Sequence, residues 1–341
     1  MSTLQTTQAD AGVDDSFIRQ ERLSRALQMV QKWMLPVLLV IEVAVFALLS
    51  PQFLTSGNWV NIIVNAADLA LIAGGLTLII LMGGIDVSTG FSVGVISWFV
   101  AAMLGASLPS YLILVTAMAI GVCLALFNGM LSVKLKIPSM VATLGTSAIF
   151  QTVLFALWHS RDLFAGPAVP WLSGHSSVGP VPTLLIVVLV VYAALHVVLM
   201  RTVFGRSVFA FGSNPEAAKL AGIRVGAVRM GAYAILGALV GLAAVAYLGR
   251  IGVVQASTGG EITMLAIASV VVGGTSILGG EGSVLRTLGG VAFIAILRNG
   301  TVLAGVPSLW NGVFIGMVIL LAVGINGGAA VLGAKTQGRM A

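Results

Sequence analysis

Charge is what this chain has least of. Only 8% of its 341 residues are charged, against roughly 25% in soluble domains, and 58% are hydrophobic. So thin a polar coat excludes an ordinary water-soluble globule. Cysteine is nearly missing as well: Cys123 stands alone in an apolar run, which excludes an internal disulfide framework. Alternation with period two over ~10-residue segments, the mark of a transmembrane barrel, does not occur. The glycine-rich "GTSILGGEGS" lacks the Lys-Ser or Lys-Thr of a nucleotide P-loop, and no GxGxxG opens a βαβ unit. His159, His175 and His196 fit no metal spacing, and no local group of Cys, Asp or Glu completes a site. No metal or cofactor is therefore expected in this chain. Nor can a nucleophile, a base and an orienting group be assembled, so an enzyme is not expected.

What the chain does have is apolar runs near the ~20 residues that a helix needs to cross a ~30 Å hydrocarbon core. In lipid the backbone must satisfy itself, which makes these runs helices. The fold class expected is an all-α integral membrane protein with about ten spans, near 33–50, 59–81, 91–107, 110–133, 139–158, 183–200, 230–248, 262–272, 283–303 and 309–325. With the N-terminus inside, Arg19, Arg22, Arg25, Lys32, Lys134, Lys136, Arg201, Arg206, Lys219, Arg224, Arg229, Arg286, Lys335 and Arg339 fall on the cytoplasmic side. Only Arg161, Arg250 and Arg298 fall outside. That asymmetry is the positive-inside bias, and it puts both termini in the cytoplasm. It also accounts for the formal charge of +6, so no nucleic-acid partner is expected.

The polar, acidic start has no signal-peptide pattern, which leaves insertion to the first span. Three parts follow: a cytoplasmic lead over 1–32, a membrane domain over 33–326 containing a cytoplasmic loop at 201–229, and a cytoplasmic tail over 327–341. In the lead, Phe17, Leu23, Leu27 and Val30 share a stripe beside Arg19, Arg22 and Arg25, which reads as a basic amphipathic helix on the inner leaflet or as a partly ordered tail. The largest outside loop, 159–182, is rich in Pro, Gly and Ser and should hold little beyond a turn or a short helix.

Two glycine-rich stretches interrupt the spans at similar places in the two halves: "MGGIDVSTGFSVG" at 82–94 and "VGGTSILGGEGSVLRTLGG" at 272–290. Paired interruptions in transporters point to the pathway or its gate. The gate or pathway candidates are Asn65, Asp68, Asp86, Ser88, Gly273, Gly274 and Thr275. Asp86 is expected to hold free amides at the next helix start, with direct contact to a solute as the alternative, and Ser88 is a candidate cap. Asn61, Asn65 and Asp68 form a polar stripe at helical spacing. Glu42 lies near the middle of the first span with no local partner. An interhelical hydrogen bond from its protonated form is preferred over a proton relay, because one isolated acid does not make a relay.

In "SNPEAAKLAGIRV" Pro215 suits the first helical turn, Asn214 or Ser213 its cap, and Glu216 the positive end of the dipole. Ala217, Ala218, Leu220 and Ala221 offer a small apolar face before Gly222 ends the helix. Such a helix, presented on the cytoplasmic side, can enter a groove on a soluble partner.

Four stretches in this order, "GGIDVSTG" at 83–90, "LKIPSMVATLGT" at 135–146, "TVFGRSVFAFGSNPEAAKLAGIRV" at 202–225 and "GGTSILGGEGSVLRTLGG" at 273–290, resemble the membrane permeases of bacterial ABC importers for simple sugars, the group of ribose, arabinose, xylose, galactose and autoinducer-2 permeases. Thr89 departs from the family's usual "SVG". The resemblance implies that Asn214, Pro215, Glu216, Ala217, Ala218 and Gly222 form the helix that couples to an ATPase. It implies a second permease chain, identical or homologous, two nucleotide-binding domains that bind ATP-Mg, and a periplasmic sugar-binding protein, assembled at the bacterial inner membrane. The function implied is alternating-access import of a monosaccharide or similar polyol. The competing expectation is a self-contained proton-coupled transporter that uses Glu42 or Asp68.

Overall fold

The computed structural model describes residues 33–159 and 162–307 without interruption, and isolated positions between 310 and 324. The amphipathic lead and the C-terminal tail lie outside the described residues, and the expected span at 309–325 lies largely outside them. The described part is mostly helical: α1 (Trp33–Leu49), α2 (Ser56–Leu81), α3 (Thr89–Gly105), α4 (Ser110–Val133), α5 (Ser139–Trp158), α6 (Thr183–Arg201), α7 (Val203–Ser213), α8 (Pro215–Leu220), α9 (Val225–Ile251), α10 (Ile262–Val272) and α11 (Val284–Leu303). Five of them, α2, α4, α5, α6 and α9, are long and apolar enough to cross a membrane.

The centre is built on α2 and α9. Every residue of α2 from 67 to 81 is buried, and α9 packs against α2, α3 and α4. Without water to drive apolar faces together, helices in lipid associate by close backbone approach at small residues. That is how α4 meets α9: a side chain added at Gly121 would overlap the Gly237 carbonyl oxygen, and one at Gly241 would overlap that of Ala117. Buried hydrogen bonds tie the rest together. Tyr192 Oη donates to the Ala70 carbonyl at 2.9 Å, the Thr77 and Thr287 hydroxyls lie 2.9 Å apart, and the Asn58 and Asn299 side-chain amides bond reciprocally at 2.9 Å.

Helix α1 lies on α11, with Leu35 over Gly289 and Phe46 over Gly300. Glu42 is buried on α1, yet neither carboxylate oxygen has a hydrogen-bond partner. Among the described residues the interhelical bond expected of it is not made. The cluster of Phe46, Phe53, Ile62, Ala295 and Ile296 beside it is apolar and offers no side-chain donor.

The loop after α5 has more order than its composition suggests. Leu163–Phe164 (β1) pairs antiparallel with Val253–Val254 (β4), and Ser177–Val178 (β2) with Val181–Pro182 (β3). Gln255 and Trp158 both donate to Asp162, at 3.0 and 2.9 Å, and hold its carboxyl below the usual carboxylate range. Two-residue pairings carry too few side chains to leave an alternating pattern, which is why the sequence does not announce them.

The first glycine-rich stretch does not turn at the surface. Residues 82–88 run back into the bundle, and α3 begins beside Leu236, about three turns into α9 at ~5.4 Å per turn. Side chains one turn apart on α5 hold this strand-like segment. Ile85 N–H donates to Ser139 Oγ at 3.2 Å, Val87 N–H to Thr143 Oγ1 at 3.1 Å, and the Thr143 hydroxyl donates to the Ile85 carbonyl at 3.2 Å. The second stretch meets the first: Gly280 N–H donates to the Leu81 carbonyl at 2.8 Å. Gly212, at the end of α7, is wedged into the same junction, where a Cβ would overlap the Leu81 carbonyl oxygen and stand 2.5 Å from the Gly280 nitrogen. Both interruptions and the approach to α8 thus share one backbone contact.

Candidate functional site

Apart from Gly273, Gly274 and Thr275, the residues singled out in the sequence occupy three separate places. The first is a cavity of about 650 Å3 at the end of the bundle where α9 finishes. Asn65 and Asp68 line it from α2, joined by Arg250, Glu261, Arg298 and Asn299. Arg250 donates to Asp68 Oδ2 and to Asn65 Oδ1, each at 2.8 Å, and its guanidinium lies 5.6 Å from the Tyr247 ring centroid. The expected polar stripe on α2 is therefore real, with Asn65 also donating to the Asn61 carbonyl at 2.8 Å. Its partner was missed. Asp68 is engaged by a guanidinium, which does not suit it to the lone proton carrier of the competing expectation. Two acids and two guanidiniums line the cavity, so its formal charge balances while its hydrogen-bonding capacity stays high.

The second place is the re-entrant segment. Asp86 and Ser88 are 1% exposed and bonded to each other: Asp86 Oδ1 accepts from Ser88 N–H at 2.8 Å and from the Ser88 hydroxyl at 2.7 Å. Asn128 on α4, not foreseen, donates to Ser88 Oγ at 2.7 Å and to Asp86 Oδ2 at 3.3 Å. Ser88 makes no side-chain cap on α3. Thr263 of α10 does that instead, its hydroxyl accepting from Gly90 N–H at 2.7 Å. The reason is that α3 starts inside the bundle, where another helix can reach its first turn. Asp86 therefore serves a buried network and does not line the large cavity.

This arrangement predicts the behaviour of two variants. Asp86→Asn keeps an oxygen for Ser88, and rotation of the Asn128 amide supplies an acceptor for the new NH2, because Asn128 Oδ1 has no partner. Asp86→Ala strands buried donors, at ~1–3 kcal/mol for each unsatisfied group. The alanine variant should melt lower and transport far less than the asparagine variant. Equal loss of transport in both, with normal assembly and melting, would instead make the carboxylate itself essential.

Gly273, Gly274 and Thr275 stand elsewhere again, at the end of α10. A Cβ at Gly273 would come within 2.7 Å of the Arg286 carbonyl oxygen, and Thr275 is wholly buried with an unpartnered hydroxyl. They pack α10 on α11 and lie away from the large cavity.

The third place is the end of the bundle with α8. Asn214 caps the helix: its Oδ1 accepts from Glu216 N–H at 3.1 Å and Ala217 N–H at 3.0 Å, with Pro215 in the first turn. At the other end Gly222 N–H donates to Lys219 O at 3.0 Å and Ile223 N–H to Ala218 O at 3.1 Å, with Gly222 at φ +78°. This is a Schellman termination, and the left-handed position is one that glycine occupies without strain. Lys219 pairs with Glu216 at 2.7 Å on the exposed side. One expectation changes here. Ala218 is 3% exposed and packs inward with Ile223, so it anchors the helix, while Ala217, Leu220 and Ala221 face out and Leu220 is 91% exposed. Neighbours at i and i+1 point to different sides of a helix, so one narrow face does not hold both Ala217 and Ala218.

Residues 58–323 match the family model described as branched-chain amino acid transport system / permease component. The ribose import permease protein of Bacillus subtilis (strain 168) is 35% identical over 288 residues, covering 84% of this chain and 89% of its own. The autoinducer 2 import system permease protein of Escherichia coli (strain K12 / DH10B) is 33% identical over 286 residues, covering 82% of each. The ribose import permease protein of Haemophilus influenzae is 31% identical over 295 residues, covering 84% of this chain and 90% of its own. No solved structure matches the chain.

Proposed function

The chain belongs to the branched-chain amino acid transport system / permease component family, and from that premise we propose that it is the membrane-spanning subunit of an ATP-driven importer for a monosaccharide or similar small polyol. The observation that carries the choice of solute is the charge-balanced cavity around Asn65, Asp68 and Arg250. A free amino acid brings two charged ends, and here Asp68 and Arg250 are already paired with each other, while Glu261 and Arg298 balance in formal charge. A neutral, hydroxyl-rich solute can instead exchange hydrogen bonds with the rim, which agrees with the names of the relatives. Passage favours modest affinity, since a solute must leave as readily as it enters.

In this reading the chain crosses the inner membrane about ten times with both termini in the cytoplasm, as the placement of basic residues suggests. The membrane domain is 33–326 between a lead over 1–32 and a tail over 327–341, and the loop 201–229 carries α8. The cavity then faces the periplasm, where a sugar-binding protein delivers solute. The six residues Asn214, Pro215, Glu216, Ala217, Ala218 and Gly222 shape the helix on which each of two nucleotide-binding domains docks. Two permease chains share one pathway, and ATP-Mg stays on the partners. The junction of Leu81, Gly212 and Gly280 is the route by which motion of α8 reaches the two interrupted segments. Asp86, Ser88, Gly273, Gly274 and Thr275 act as the packed elements that move, and Asn65 and Asp68 as pathway groups.

Proteoliposomes holding the permease, its ATPase and the binding protein test this directly. Labelled ribose or xylose should accumulate only with ATP on the ATPase side, and leucine should not. Loss of uptake on adding an uncoupler while ATP is held constant would overturn the ATP-driven reading in favour of proton coupling.

A further inference from the structure

A second cavity, of about 420 Å3, lies at the α8 end between the end of α4, the start of α5 and the first turns of α9. Three cationic side chains line it, Lys136, Lys219 and Arg229, and no acidic side chain does. Lys219 is shared with Glu216 at 2.7 Å. The Arg229 guanidinium lies 5.2 Å from the Phe211 ring centroid. Among the described residues no carboxylate pairs with Lys136 or Arg229. Asp86 is committed to Ser88 and Asn128 deeper in the bundle and does not reach the wall.

Two further features aim donors at the same space. Arg224 leaves the start of α9 without a side-chain cap, and although the Val225 amide donates to the Ile223 carbonyl at 2.8 Å, Gly226 of that first turn lines the cavity, where its free amide and the positive end of the helix dipole favour an anion. Independently, Ser132 lines the cavity while only 4% exposed, and its hydroxyl has no partner. A buried hydroxyl left unpaired is costly, so a missing acceptor is the economical explanation.

We propose that this cavity binds a phosphate-bearing anion, either free phosphate or a phosphomonoester from solution or the headgroup of an anionic phospholipid. Donors converge from α4, the α4–α5 turn, α8 and α9, which suits an oxyanion with several acceptor oxygens better than a planar carboxylate. An occupant ties Ser132 on α4 to Lys219 on α8, so its presence biases the position of the exposed helix. The site rests on geometry alone and does not depend on which solute is carried.

Full-length permease in an uncharged detergent is the material for the test. Its thermal unfolding is followed with inorganic phosphate or with chloride at matched ionic strength, and its lipid retention is compared in nanodiscs of phosphatidylglycerol and phosphatidylcholine. Phosphate should raise the melting temperature where chloride does not, or phosphatidylglycerol should be retained selectively. Whichever source binds, Ser132→Ala and Lys136→Gln should each weaken the effect by about tenfold, the loss expected for one hydrogen bond to a charged group. Both positions tolerate the change, since Ser132 bonds nothing and Lys136 is exposed. The readout is the ligand-induced shift, so a lower baseline melting point in a variant does not obscure it. A phosphate response without lipid selectivity assigns the site to a soluble ligand, and the reverse assigns it to the bilayer. Equal shifts with chloride, no response to either source, or a response that both variants retain in full would overturn the proposal.

Discussion

Leu220→Glu should silence transport while leaving the chain folded. Leu220 is 91% exposed at the end of α8, beside Ala217 and Ala221 on the outward face. A large apolar side chain so placed contributes little to its own fold, and surface changes of this kind usually stay within about ±0.5 kcal/mol. Buried under an ATPase, however, a carboxylate there loses its hydration without gaining a partner, and central interface positions are commonly worth ~2 kcal/mol or more, about a 30-fold loss of affinity. Solute-stimulated ATP hydrolysis and uptake should therefore collapse together, with the melting temperature of the isolated permease unchanged. Ala218→Trp should do the opposite: because Ala218 packs inward, the indole should lower the melting temperature of the permease itself. If Leu220→Glu complexes hydrolyse ATP and import solute at the normal rate, α8 is not the docking helix.

Gly212→Val should be severely damaging to both fold and transport. The added side chain has backbone on two sides, the Leu81 carbonyl and the Gly280 amide, and backbone does not swing aside as a side chain does. Overpacking typically costs ~1–3 kcal/mol, and a site closed by backbone belongs at or above the upper end. The Gly280–Leu81 hydrogen bond should break, the melting temperature should fall by several degrees, and uptake should be lost even where the complex assembles. Gly145→Ala is the control, since nothing lies within 4 Å of the position its Cβ would take. A Gly212→Val chain that melts and transports like the unmodified one would show that the junction does not carry motion.

What the sequence discloses and what it hides follow a physical line. Helix positions were legible because lipid forces every span to be apolar and helical: α4, α5 and α10 begin and end where the apolar runs do. The cap and stop of α8 were legible because Asn-Pro and Gly act through neighbouring backbone. The re-entry of residues 82–88 was not, since it depends on Ser139 and Thr143, more than fifty positions away. Asn128 and Thr263 escaped notice for the same reason. The cavity is the instructive case. Arg250 and Arg298 stood out as two of the three basic residues that violate the charge bias, and both line it. A cation placed against the membrane's electrostatic preference has a local reason to be there, and for Arg250 that reason is Asp68 and Asn65.

The double closure of α8 bears on what a proposed docking partner would meet. A helix of six residues is too short to persist in water on its own, and an unrestrained one would be ordered anew at every encounter. Asn214 at one end and the Gly222 turn at the other hold the shape in advance, and Ala218 fixes its tilt. The entropy of ordering is spent during folding, once, and is not charged to each association. If α8 is the proposed docking helix, each association then meets a surface already in shape, and the strength of the contact is free to stay low enough for the helix to move.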